Sequence, residues 1–208
     1  RFGATVTPKI IELPQNRVNL VFEINEGDVT AIRRIRFVGN RYFSDSSLRE
    51  EIETKESAFW RFFGTSDVYD ADKLAADREK LRKFYLSRGF ADMRVVSAVA
   101  ELTPDKTAFF ITFTIHEGDR YRFGKVDVVS NLKGVQADQF KGGLRVREGR
   151  RFDGDAIEST IDSLTTIAGS MGYAFVRVNP IATPDREKKT VDITFDVREG
   201  PKVFVERI

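Results

Sequence analysis

The chain has 208 residues, of which 41% are hydrophobic and 32% are charged, a composition typical of a folded domain and not of a disordered chain. It has no cysteine and one histidine, His116, which excludes disulfides, thiolate metal sites and cysteine nucleophiles. Its 34 basic and 32 acidic residues are interspersed, so the charge pattern does not indicate a nucleic-acid-binding protein. We therefore expect a binding protein that is not an enzyme and needs no metal or cofactor.

The first strong pattern along the chain is a strand over Val18 to Ile24, which has an apolar residue at every second position and leads into Glu26-Gly27. A period of two predicts a strand with one buried and one polar face. The same strand with its Glu-Gly ending recurs at Phe109 to Gly118 and at Val191 to Gly200. These three copies indicate an internal repeat.

Each interval between successive Glu-Gly pairs contains the same further elements in the same order. An apolar strand ends at Asn40 in the first interval and at Asn131 in the second. A short helical segment and a longer helix with apolar residues at three- and four-residue spacing follow, and then another strand. The predicted segments are 44–52, 71–88 and 93–101 in the first interval, and 137–141, 153–171 and 175–182 in the second.

The elements predict an α+β fold made of tandem βααββ repeats, each a three-stranded mixed sheet with two helices on one face. Residues 29–118 form one complete repeat with a long loop, and residues 119–200 form a second. Residues 1–28 are expected to be the C-terminal strands of a preceding repeat, and residues 201–208 the first strand of a following one.

Three motifs together resemble POTRA domains. They are the Glu-Gly-Asp to Gly-Asn segment (26–40), the helix end Arg88-Gly89-Phe90-Ala91, and the turn Leu102-Thr103-Pro104-Asp105. The order of the repeats and the long loop resemble the periplasmic part of outer-membrane barrel assembly factors. By that match, residues 1–28 end the second POTRA domain, the complete repeats are the third and fourth, and residues 201–208 begin the fifth.

The resemblance implies a scaffold at the periplasmic face of the outer membrane of a Gram-negative bacterium. Such a scaffold would receive unfolded outer-membrane proteins, dock the accessory lipoproteins of the assembly complex and precede a C-terminal membrane barrel of its own. The alternative is a POTRA module of a translocation factor or of a two-partner secretion transporter, which recognises one dedicated secreted substrate.

In POTRA sheets the second strand is an edge, and an edge strand can pair with a foreign extended chain. The equivalent strand in the second repeat contains Pro180, and the N-terminal strand contains Pro8. Proline at such positions protects an edge. The first repeat has no proline there, which favours it as the client or partner strand; the residues are Arg94, Val95, Val96, Ser97, Ala98 and Val99. The alternative is an ordinary solvated edge.

The long loop of the first repeat is rich in aromatic residues, namely Phe59, Trp60, Phe62 and Phe63. An exposed aromatic cluster is typical of an interaction surface, although such a loop also packs on its own domain where a small core needs more apolar area. The resemblance adds that Thr54 and Lys55, beside this loop, are candidate contacts for a lipoprotein partner.

A basic cluster precedes the long helix of the second repeat and consists of Arg145, Arg147, Arg150 and Arg151. Such a cluster could bind lipid headgroups or an acidic partner. The alternative is a solvated loop, because Glu148 and Asp153 lie among the arginines.

Overall fold

A computed structural model of the chain describes residues 5–14, 17–25, 31–57, 69–105 and 107–200. The N-terminal strands β1 (Thr5–Leu13) and β2 (Arg17–Asn25) form an antiparallel hairpin. In the described ranges, every helix is too short or too polar to cross a lipid bilayer. The remaining elements are β3 (Ala31–Val38), α1 (Asp45–Glu51), α2 (Ala71–Leu86), β4 (Arg94–Leu102), β5 (Ala108–His116), β6 (Arg122–Ser130), a 3₁₀ helix (Ala137–Gly143), α3 (Gly154–Ser170), β7 (Val176–Asp185) and β8 (Thr190–Glu199).

The chain divides into two compact units. One consists of Arg1–Arg78 and Val95–Ile115, and the other of Glu79–Arg94 and His116–Ile208. Helix α2 therefore contributes its first half to one unit and its second half to the other.

The sheet of the first unit has the strand order β3-β5-β4, with β3 parallel to the central strand β5. Helix α1 begins at Ser44, whose side chain accepts a hydrogen bond from the Ser47 N–H, as expected for an N-cap serine. The helix is tied to the sheet by Arg49, which donates from Nη1 to the Ile35 carbonyl at 3.0 Å. Leu48 is fully buried, so this short helix covers the sheet with a single large apolar side chain.

The sheet of the second unit repeats this arrangement as β6-β8-β7, with β6 parallel and β7 antiparallel to β8. Its alternating strand β8 buries the predicted face, including Val191, Ile193, Phe195 and Val197. The core also takes Phe140 from the 3₁₀ helix and Leu164 with Ala168 from α3. Both helical elements thus supply apolar side chains to the core of this sheet.

The observed order of elements confirms the predicted βααββ pattern, and the boundaries differ from the predicted ones by a few residues. The short helical segment predicted at 137–141 is a 3₁₀ helix over Ala137–Gly143. It ends in Gly142-Gly143, and two glycines in its last turn disfavour an α-helix.

Candidate functional site

Strand β4 lies at one edge of its sheet, because β5 is its only strand neighbour among the described residues. None of its nine residues is buried. Val96 is 57% exposed and Val99 is 48% exposed, although both are β-branched apolar residues that ordinarily pack inside a sheet. All six predicted edge residues, 94–99, therefore lie on an accessible strand.

The hairpin after β4 determines which of its backbone amides point away from the sheet. The Thr103 N–H donates to the Ala108 carbonyl across the hairpin at 2.8 Å. Successive N–H groups of a strand point to opposite sides, so the N–H groups of Leu102, Ala100 and Ala98 point away from β5. We call this row of outward N–H groups the open edge.

In the second unit, β7 pairs with β8 in the same register as β4 with β5, counted from the Glu-Gly pair that follows each hairpin. Asp185 pairs with Thr190, and these two residues lie 82 positions after Thr103 and Ala108. By the same count, Pro180, Ala182 and Pro184 are the equivalents of Ala98, Ala100 and Leu102. Two of the three outward donors of the open edge are therefore absent from β7.

The N-terminal hairpin also has a proline in place of an outward N–H donor. Pro8 of β1 pairs with Phe22 of β2, and Pro180 of β7 pairs with Phe195 of β8. Phe195 and Phe22 stand at the same distance before Gly200 and Gly27. Of the three sheets, the one with β4 has alanine where the other two have proline at this position, so it keeps an outward donor there.

Chemically, the open edge offers hydrogen-bond donors and acceptors that any extended polypeptide can match. Its side chains are uncharged from Val95 to Ala100, so no like charges would repel an incoming strand. Arg94 and Glu101 flank this stretch and are exposed.

The candidate partner contacts beside the long loop are only partly placed. Phe59, Trp60, Phe62 and Phe63 lie outside the described residues. Thr54 is 3% exposed and its N–H donates to the Asp77 carboxylate at 3.1 Å, so this burial argues against Thr54 as a contact residue. Lys55 is half-buried and its ammonium donates to the Arg49 carbonyl at 2.6 Å.

The structure places all four arginines of the predicted basic cluster at exposed positions. Arg150 and Arg151 line a cleft with two arginines from the start of β6, Arg120 and Arg122. Arg145 and Arg147 are exposed but are not among the residues that line this cleft. The strand pairing of Arg122 with Arg151 brings Arg120 and Arg122, which proximity in sequence did not indicate, to two members of the predicted cluster.

Sequence reasoning missed two tyrosine–carboxylate pairs near the glycine that follows α2, one buried and one partly buried. Tyr85 is fully buried and donates to Glu117 Oε1 at 2.8 Å, and Tyr121 donates to Asp92 Oδ2 at 2.6 Å. Burial, and then the hydrogen bonds to the carboxylates, raise the pKa of both phenols, that of Tyr121 to about 12. One signal was visible, since Tyr85 stands four residues before Gly89 where the second repeat has Ala168 before Gly172.

The repeats match a known family. A sequence profile of the POTRA family, described as "Surface antigen variable number repeat", matches residues 30–118 and 121–200. The chain is 30% identical over 208 residues to "Outer membrane protein assembly factor BamA" of Neisseria meningitidis serogroup B, covering 100% of the chain and 26% of that protein. It is also 30% identical over 203 residues to BamA of Neorickettsia risticii, covering 98% of the chain and 27% of that protein.

Solved structures agree in fold. The crystal structure of Haemophilus influenzae BamA POTRA3-5 superposes with a TM-score of 0.70 at 23% identity, over 84% of this chain and 68% of that one. BamA from Haemophilus ducreyi lacking POTRA domains 1-3 superposes with a TM-score of 0.61 at 15% identity, over 82% of this chain and 29% of that one. The chain spans about a quarter of the length of the curated relatives it matches. It belongs to the POTRA family, and its two matched repeats are of the kind found in BamA proteins.

Proposed function

We propose that the chain is a non-enzymatic scaffold of outer-membrane protein assembly, which receives unfolded outer-membrane proteins by β-augmentation on β4. The observation that carries this proposal is the open edge, whose outward N–H groups remain where β7 and β1 have prolines. The relatives named outer membrane protein assembly factors support the setting, which is the periplasmic face of the outer membrane in a Gram-negative bacterium.

Backbone pairing suits clients that differ in sequence but share alternating strands. Each backbone hydrogen bond adds about 0.5–1.5 kcal/mol net, and ordering the client costs about 1–2 kcal/mol per residue. A few bonds on one edge, without deep side-chain pockets, therefore give weak and transient binding. Weak binding fits a protein that must release each client to the membrane.

Two further partners belong to this proposal. Accessory lipoproteins of the assembly complex would dock beside the long loop, where half-buried Lys55 is more accessible than Thr54. The chain would also act together with a membrane barrel that follows it in the full-length protein.

A matched pair of proline variants tests the open edge. Ala100→Pro removes the outward N–H at the middle of the open edge, whereas Ala182→Pro makes the same change at the equivalent position of β7. Because neither N–H donates to the central strand, both variants should keep the fold and its unfolding temperature within a few degrees. The binding probe is a labelled peptide of about ten residues with the alternating pattern of a barrel strand, followed by NMR shifts and by photocrosslinking.

We expect Ala100→Pro to reduce binding and crosslinking severalfold while Ala182→Pro leaves both unchanged. A peptide of the same composition, with prolines at alternate positions, should not bind either protein. Equal binding by the two variants, or crosslinks distributed equally over β4 and β7, would refute β-augmentation at the open edge.

A further inference from the structure

The cleft next to β6 is an arginine-rich concavity of about 640 Å³. We call it the arginine cleft. Its lining residues are Ser87, Arg120, Tyr121, Arg122, Arg150, Arg151 and Asp153. All seven belong to the same compact unit.

The cleft is built by pairing two short segments. Arg122 and Arg151 form an antiparallel bridge. The Phe123 N–H donates to the Arg150 carbonyl at 2.8 Å, and the Phe152 N–H donates to the Tyr121 carbonyl at 3.0 Å. Directly opposed residues have Cβ atoms about 4.5–5.5 Å apart on the same face. The backbone therefore fixes two arginine side chains next to each other.

Packing further restrains three of the arginines. Arg122 donates from Nη1 to the Gly149 carbonyl at 2.9 Å. The stem of Arg151 lies against Gly89, where a Cβ would approach its Cγ to 3.1 Å. The Arg120 guanidinium lies over the Phe90 ring, 5.2 Å from the centroid. These contacts reduce the conformational freedom that the three side chains would lose when a ligand binds.

The charges in the cleft are unbalanced. Of the described residues that line it, Asp153 alone carries a carboxylate, and this group already caps α3 by accepting from the N–H groups of Asp155 and Ala156. Among the described residues, the guanidinium groups of Arg122, Arg150 and Arg151 form no ion pair. Like charges directly opposite each other in a sheet are destabilising, so the Arg122–Arg151 pair costs free energy that a bound anion would relieve.

We propose that the arginine cleft is a binding site for a phosphate group. Guanidinium groups bind phosphate and carboxylate through paired N–H donors. A carboxylate carries one negative charge, whereas Arg122, Arg150 and Arg151 with Asp153 leave a positive excess that the double charge of a phosphomonoester matches better. The phosphomonoester could belong to a soluble compound or to a lipid headgroup, and the chemistry of the contacts is the same in both cases.

The test compares two double variants that remove the same charge. Arg122→Gln with Arg151→Gln changes the opposed pair inside the cleft. Arg145→Gln with Arg147→Gln changes two exposed arginines that do not line it. Inorganic phosphate is titrated at constant ionic strength, with chloride as the balancing anion, and binding is followed by NMR shifts and by the rise in unfolding temperature.

We expect phosphate to raise the unfolding temperature of the parent chain and of the Arg145/Arg147 variant. The Arg122/Arg151 variant should bind phosphate at least about tenfold more weakly, because it loses charge-assisted hydrogen bonds. Without phosphate, this variant should be as stable as the parent or more stable, since the like-charge pair is gone. That combination would not arise if the arginines only supported the fold.

Vesicles distinguish the two sources of the phosphate. Binding to phosphatidic acid vesicles but not to phosphatidylcholine vesicles, lost in the Arg122/Arg151 variant alone, assigns the site to a lipid headgroup. Phosphate binding without vesicle binding assigns it to a soluble phosphate compound. The proposal is overturned if phosphate acts no differently from chloride, if both double variants lose binding equally, or if polyglutamate binds the cleft and phosphate does not displace it.

Discussion

Asp77 holds the segment that leads into the long loop, and replacing it should be strongly destabilising. The residue lies on α2 and is fully buried. Its Oδ1 accepts the Glu53 N–H at 2.6 Å and its Oδ2 accepts the Thr54 N–H at 3.1 Å. A hydrogen bond to a charged group contributes about 1.5–3 kcal/mol. Glu53 is exposed, so its N–H can turn to water, whereas Thr54 is buried and its N–H cannot.

We therefore expect Asp77→Ala to lower the free energy of unfolding by about 3–4 kcal/mol, mostly from the Thr54 side. Asp77→Asn keeps one accepting oxygen and should cost about half as much. The measurement is urea-induced unfolding with linear extrapolation to water. Asp72→Ala is the control, because Asp72 is exposed in the first turn of the same helix and its loss should cost less than about 1 kcal/mol. A loss below about 1 kcal/mol for Asp77→Ala would refute the role of the two hydrogen bonds.

Three further changes test other contacts. Tyr85→Phe should lower the free energy of unfolding by about 2 kcal/mol in the same assay, because the buried carboxylate of Glu117 loses this donor. Gly39→Ala should cost about 3 kcal/mol or more, because Gly39 has a φ of +92° and a Cβ there would meet the Ile115 carbonyl oxygen; an unchanged unfolding temperature would contradict this. Folding raises the pKa of Tyr85 and Tyr121 above the value of about 10 in unfolded chains. The contribution of these tyrosines to the free energy of unfolding should therefore be fully present below about pH 10 and be lost as the pH rises through about 12. Alkaline unfolding followed by phenolate absorbance measures this loss.

The repeat was predictable because its signals are local. Alternation over Phe109 to Gly118 and Val191 to Gly200 predicts the central strands, and the buried residues of β5 and β8 follow it. The apolar stripe of α2 was equally clear, and its members Leu74, Leu81, Phe84 and Tyr85 are buried. The edge position of β4 followed from the resemblance to POTRA sheets, and the observed strand order confirms it.

The features that could not be predicted depend on contacts between residues far apart in sequence. The pairing of Arg122 with Arg151 joins two segments that carry no pattern linking them, so proximity in sequence grouped Arg150 and Arg151 with Arg145 and Arg147 and did not indicate Arg120 and Arg122. The burial of Thr54 depends on Asp77, which lies 23 residues later. A polar residue at the start of a loop predicts exposure unless the distant carboxylate that binds its backbone is known.

Because β4 and β7 have equal registers, the outward N–H donors of one edge strand could be transferred to the other by substitution. Counted from the Glu-Gly pair, Ala98 and Leu102 match Pro180 and Pro184 position by position. On the β-augmentation proposed for β4, exchanging these two pairs should move peptide pairing from one repeat to the other without altering a core residue or a turn. Two prolines are thus enough to give tandem repeats of one fold different edge strands. The other positions of each repeat then need only preserve its packing.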